Sequence, residues 1–147
     1  MVEVSDVVII DRPSHTVWAE LARFGAISRW APPVDHSCLM SSSLAGVGAV
    51  RRVQVGRNAL LERIVAWEPG RHLAYNIEGL PPVLRSVTNH WFLDDQGNRT
   101  LVTITSAVDA GPRPPQQLIA RGFGKILGKG SREMLRGLKH YLEETSP

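Results

Sequence analysis

Two periods of apolar and polar residues divide this chain into three stretches. Residues 3–11 read as a first strand, in which Val4, Val8 and Ile10 alternate with Ser5, Val7 and Ile9, so both faces are partly apolar. Arg12-Pro13-Ser14 stops it. Ser14 is placed to cap a helix, with Pro13 able to shift the start by one residue. Val17, Trp18, Leu21 and Phe24 then recur at helical spacing, and Gly25 suits the position just past a helix C-terminus. Residues 26–30 have the length of one further turn before Pro32 and Pro33 end the helical stretch.

Over residues 34–109 the period shortens to that of strands. Runs at 34–40, 46–55, 59–67, 73–78, 87–93 and 101–108 are separated by a Ser/Gly-rich loop at 41–46 and by Gly56-Arg57-Asn58, Glu68-Pro69-Gly70, Leu80-Pro81-Pro82 and the turn at 94–98. Connections this short predict an antiparallel meander, because parallel neighbours need long crossovers. After Gly111-Pro112-Arg113-Pro114-Pro115 a helix is predicted over 116–144, with an apolar stripe of Ile119, Phe123, Ile126, Leu127, Met134, Leu138, Tyr141 and Leu142. Gly122, Gly124, Gly128, Gly130 and Gly137 interrupt it, each at a cost of about 1 kcal/mol relative to alanine. Close packing accounts for one or two of them; the cluster at 122–130 points to a kink, a break or a mobile gate, or else to local fraying. The expected fold is α+β, with an oily helix face buried on the concave side of a curved sheet. Such a sheet often cannot fill the space it encloses, and a cavity results.

The totals leave that picture in place. One hundred and forty-seven residues, 43% hydrophobic and 21% charged, describe a folded domain rather than a disordered chain, and residues 1–147 are read as one unit. No apolar run reaches the roughly 18 residues of a membrane span, and the acidic start lacks a signal-peptide pattern. Cys38 is the only cysteine, so no internal disulfide forms, which suits a reducing cytoplasm. The net charge of +3 is unevenly spread: Arg113, Arg121, Lys125, Lys129, Arg132, Arg136 and Lys139 are opposed only by Glu133 over residues 113–140. A solvated helix face is the simplest reading. The alternatives are docking of an acyl carrier protein, another acidic partner or an anionic membrane surface. Nucleic acid is not expected, because no recognition motif is present.

Little of the known motif chemistry is present. His15, His36, His72, His90 and His140 are scattered without ligand spacing, so neither metal nor cofactor is expected. The glycines around Lys125 and Lys129 fail the spacing of a phosphate loop, and no nucleophile motif occurs. Arg51, Arg52 and Glu62 lie on neighbouring runs. One arginine faces Glu62 across the ladder, either as a polar group inside the cavity or as an ion pair on the outer face, and the outer face is favoured. A one-residue slip would exchange the two. Asn89 falls on the otherwise apolar face of Val87, Trp91 and Leu93, and beside it Leu73, Tyr75 and Ile77 share a face. Either Asn89 and the Tyr75 hydroxyl orient a polar substituent of a ligand, or Asn89 bonds a neighbouring backbone group or water. Trp30, Tyr75, Asn89, Trp91, Ile104 and Phe123 are expected to line one internal space, and with Arg51, Glu62, Leu73 and Ile77 they make up the ten residues expected at a ligand.

Several local patterns carry a likeness to known proteins: Pro13-Ser14-His15-Thr16-Val17-Trp18, Ile27-Ser28-Arg29-Trp30-Ala31-Pro32, Gly46-Val47-Gly48-Ala49-Val50-Arg51, Leu61-Glu62-Arg63-Ile64-Val65-Ala66-Trp67-Glu68-Pro69, Leu73-Ala74-Tyr75-Asn76-Ile77 and the turn and strand at 97–105. In this order the chain resembles, over nearly its whole length, the START-like polyketide cyclase/dehydrase and lipid transport superfamily. The resemblance implies a helix-grip fold: about seven antiparallel strands around a long C-terminal helix, with one or two short N-terminal helices. It also implies a hydrophobic ligand, polyketide-like or lipid-like. It does not choose between a cyclase/dehydrase, a non-catalytic carrier and a scaffold filled by its own side chains, because fold alone does not set chemistry.

Overall fold

A computed structural model describes residues 1–43 and 45–145. Leu44, in the loop expected at 41–46, lies outside the described residues, as do Ser146 and Pro147 at the end of the expected unit. The chain forms β1 (Val2–Ile10), α1 (Ser14–Leu21), a 3-10 segment (Phe24–Arg29), β2 (His36–Leu39), β3 (Val50–Val55), β4 (Asn58–Glu68), β5 (His72–Glu78), β6 (Ser86–Asp95), β7 (Thr100–Asp109) and α2 (Pro114–Thr145). Seven strands make one sheet in the order β1-β7-β6-β5-β4-β3-β2, and every pair is antiparallel. This is the helix-grip arrangement expected above.

Local details differ for physical reasons. Ser14 is the first helical residue and Pro13 the cap, without a side-chain cap bond, because a proline that lacks an N–H and prefers extended ψ fits just outside the helix. Gly25 sits inside the 3-10 segment rather than past a helix end: a Cβ there would meet the Leu39 side chain at 2.7 Å, so the glycine lets this segment lie against β2. β1 is two-faced as expected, but Val7 and Ile9 point to solvent while Ile10 is fully buried.

The β3–β4 connection is a two-residue turn, with Val55 paired to Asn58 and Gly56 at a φ of +58°, which glycine adopts without a Cβ clash. That turn sets the register and places Arg51 opposite Glu62. Further along β4 the pairing jumps from Ile64–Tyr75 to Ala66–Ala74, leaving Val65 as a bulge. A bulge bends its strand and reverses which residues face inward beyond it. Trp67, not Ala66, therefore stands opposite inward-facing Leu73.

The core has two parts. Phe24, Ile27, Trp30, Tyr75, Trp91, Ile104, Leu135 and Leu138 belong to the larger, and Val87, Val108, Ala110 and Ala120 form a smaller one that Phe123 and Leu127 cover.

Helix α2 is continuous over 32 residues, so the clustered glycines do not break it. The buried line in its first half consists of small residues, Ala120, Gly124, Gly128 and Ser131, whereas Ile119 and Ile126 of the expected stripe are exposed. Leu135, absent from that stripe, is buried with Leu138 and Leu142. A Cβ on Gly137 would collide with the Trp30 carbonyl oxygen and the Pro32 ring, so this glycine marks a close crossing. By contrast, nothing lies within 4 Å of a Cβ on Gly122. Gly137→Ala is expected to lower stability by about 1–3 kcal/mol through forced displacement, and Gly122→Ala to raise it by about 1 kcal/mol through helix propensity. Urea unfolding of the two variants measures both.

Candidate functional site

The side of α2 that carries Phe123, Ile126, Leu127, Ser131 and Met134 stands off from the curved sheet opposite and leaves space there. A cavity of about 410 Å³ occupies it. Val53 and Val55 of β3, Leu60 and Glu62 of β4, Ile77 of β5 and Asn89 of β6 form its floor. Phe123, Ile126, Leu127, Ser131 and Met134 of α2 form its roof, and Ile27, Pro33 and Val34 close one side. Leu80 and Pro81, after β5, lie at the opposite rim. Burial gives the cavity a direction: Ile126 at the mouth is 67% exposed, while Ile27, Val53 and Asn89 are buried.

Three buried polar side chains, Ser131 of the roof and Glu62 and Asn89 of the floor, enter this largely apolar enclosure. Glu62 takes the Nε and Nη2 of Arg51 on a single oxygen, Oε1, both at 2.7 Å. Arg51 also donates from Nη1 to the Phe24 carbonyl at 3.0 Å, and its guanidinium carbon lies 3.8 Å from the Phe24 ring centre and 4.6 Å from that of Tyr75. The outer-face ion pair favoured above is thus replaced by a buried, inward-facing one. The register set by the Gly56-Arg57 turn decides this, and Arg52 takes the other face, bonding Gln54. Asn89 accepts from the Ser106 hydroxyl at 2.6 Å and donates from Nδ2 to the Tyr75 oxygen at 3.3 Å. Trp91 Nε1 donates to the same oxygen at 3.3 Å. Burial, followed by the negative charge of Glu62, raises the Tyr75 pKa, so the phenol stays neutral.

The expected shared space divides in two. Glu62, Ile77, Asn89 and Phe123 line the cavity. Trp30, Arg51, Leu73, Tyr75 and Trp91 instead border a crevice behind it, with no room for a water molecule, and Ile104 is fully buried and borders neither. The aromatic residues fill their end of the sheet rather than wall it: Trp30 and Trp91 meet edge to face at 5.5 Å, and Phe24 and Tyr75 at 5.8 Å. Packing is incomplete in one respect, since the buried Trp30 Nε1 has no partner among the described residues. The β3–β4 residues Val53, Val55 and Leu60 were missed as lining. Their signal was the same turn, since Arg51, Val53 and Val55 share one face once the register is known.

Of the scattered histidines, His72 and His90 come together on the outer face of β5 and β6, with ring nitrogens 3.0 Å apart and both rings stacked with Phe92. Burial and then His72 lower the His90 pKa. Among the described residues no three histidine, cysteine, aspartate or glutamate side chains are grouped to hold a metal ion. On α2, Lys139 is committed to the Ile9 carbonyl and Glu143, and Arg132 lies 3.7 Å from Asp6, while Arg121, Lys125, Lys129 and Arg136 are exposed. No helix among the described residues is long and apolar enough to cross a membrane.

A family model described as polyketide cyclase/dehydrase and lipid transport matches residues 1–143. None of the curated protein sequences matches the chain. Among solved structures, the ZhuI aromatase/cyclase from Streptomyces sp. R1128 is similar at 20% identity and a TM-score of 0.79, over 99% of this chain and 96% of that one. A protein from Thermobifida fusca gives 23% and 0.81, also over 99% and 96%. A START superfamily protein from Mycobacterium smegmatis gives 13% and 0.76, over 98% and 99%. At these identities the likeness to solved structures is one of fold.

Proposed function

This chain belongs to the polyketide cyclase/dehydrase and lipid transport family, and from that premise we propose that it binds a hydrophobic small molecule, polyketide-like or lipid-like, between α2 and the β3–β6 face. The observation that carries the reading is the cavity of about 410 Å³, apolar on most sides but met by the buried carboxylate of Glu62 and amide of Asn89. Ligand sites of this size are typically apolar with a few placed polar groups. In this reading Glu62, Ile77, Asn89 and Phe123 contact the ligand directly, while Trp30, Arg51, Leu73, Tyr75, Trp91 and Ile104 hold the inner wall in shape. Residues 1–147 act as one unit in the cytoplasm, where Cys38 remains a thiol. The exposed Arg121, Lys125, Lys129 and Arg136 provide a face for an acidic partner such as an acyl carrier protein.

A cyclase or dehydrase activity is the second reading. It is favoured by the position of Glu62, a carboxylate able to move a proton at the inner end of a largely apolar enclosure.

Binding is tested with a neutral fluorescent probe, N-phenyl-1-naphthylamine. The expected dissociation constant is on the order of micromolar or tighter, and saturation at about a hundred times that value adds about 2.7 kcal/mol of stability. Leu60→Trp, which fills the floor, is expected to weaken the probe at least tenfold or so while the circular dichroism of the fold persists. Unchanged probe fluorescence and melting temperature across neutral probes of several sizes would sink the reading.

A further inference from the structure

The buried ion pair is one-sided toward the cavity. Glu62 lines the cavity and Arg51 does not. The guanidinium cannot turn to meet a ligand: Nε and Nη2 are held by Glu62 Oε1, Nη1 by the Phe24 carbonyl, and the Phe24 and Tyr75 rings flank it. Both contacts to Glu62 use Oε1, and Oε2 accepts no hydrogen bond from any described residue. Glu62 is 6% exposed, and Oε2 is not among the fully buried atoms that lack a partner, so this charged acceptor opens onto the cavity. Asn89, 3% exposed, spends its oxygen on Ser106 and one amide hydrogen on Tyr75, leaving its second N–H as a donor. Glu62 on β4 and Asn89 on β6 are separated by β5, so they address two different atoms of a ligand.

We propose that the inner end of this cavity selects a neutral ligand carrying a hydroxyl, phenolic or aliphatic, that donates to Glu62, with an acceptor elsewhere for Asn89, and that it rejects carboxylates such as free fatty acids. A ligand carboxylate placed there meets a like charge whose counter-ion is already committed behind the wall, at low dielectric where repulsion is strong. A bare hydrocarbon leaves the Glu62 oxygen without a partner, which is also unfavourable. A hydroxyl satisfies it with a charge-assisted bond. The inference rests on the cavity-binding reading and deepens it by naming the end group.

Three probes of one shape separate the two claims: 2-hydroxyanthracene, 2-methylanthracene and anthracene-2-carboxylate, titrated by fluorescence into the intact chain near neutral pH. The hydroxy compound is expected to bind about tenfold or more tightly than either of the others. In the double variant Arg51→Met/Glu62→Gln, which removes both charges together, the carboxylate is expected to recover to within a few fold of the hydroxy compound. If the wild-type chain binds the carboxylate or the methyl compound as tightly as the hydroxy compound, the selectivity is refuted and cavity binding stands. If none of the three binds, the cavity reading itself falls. The wild-type series decides the matter even where the double variant does not fold.

Discussion

Arg51→Met is expected to destabilise the protein by about 3–5 kcal/mol, the cost of leaving a buried charge without its partner. Glu62 is 6% exposed and Arg51 3%, so neither charge can recover hydration by a small movement. The three side-chain bonds of Arg51 and its two ring contacts disappear together in this variant. The double variant Arg51→Met/Glu62→Leu is expected to regain most of the loss, because an apolar pair of similar volume carries no desolvation penalty. Urea unfolding of the two single variants and the double variant closes a mutant cycle. A double variant no more stable than Arg51→Met would show that the pair is held in place by more than mutual compensation.

Trp91→Ala is expected to cost a similar amount, about 3–5 kcal/mol, by opening a void in the aromatic core. Trp91 is 1% exposed, meets Trp30 edge to face and donates its indole N–H to Tyr75. Its void lies across Ile27 from the ligand cavity, since Ile27 borders both the crevice beside Trp91 and the cavity. Thermal unfolding measures the stability loss. Probe binding by the variant, measured below its transition, is expected to change less than in Leu60→Trp, which occupies the cavity itself. An equal or larger loss of binding in Trp91→Ala would mean that the aromatic cluster, not the floor residues, forms the ligand site.

The contrast between these two regions also marks where reading the chain succeeds. Period-two patterning in Leu73-Ala74-Tyr75-Asn76-Ile77 and in Val87 to Leu93, bounded by turn residues, identifies inward faces because alternation is a property of the strand itself. The breaks at Pro32-Pro33 and Gly111 to Pro115 likewise act locally, through missing donors and constrained φ. Of the ten residues expected at the ligand, Ile77 and Asn89 border the cavity on these grounds, Phe123 does so through helical periodicity, and Glu62 only through the register of its turn.

Periodicity alone determined an antiparallel meander followed by a long amphipathic helix, and it determined which side of most strands faces that helix. Only the tertiary structure decided where the helix lies along its own length. Its first half approaches β1 at Gly124, beside Val2 and Val4, and at Gly128, beside Asp6, and leaves Ile119 and Ile126 outside. It likewise decided that the Arg51–Glu62 pair is buried, because one turn residue more or fewer at Gly56-Arg57 would put Arg51 and Glu62 on opposite faces of the sheet. And it decided that the aromatic residues fill their end of the sheet while a cavity remains at the other. Filling depends on summed side-chain volume from elements distant in sequence, Trp30 against Trp91 and Phe24 against Tyr75, which no local pattern records.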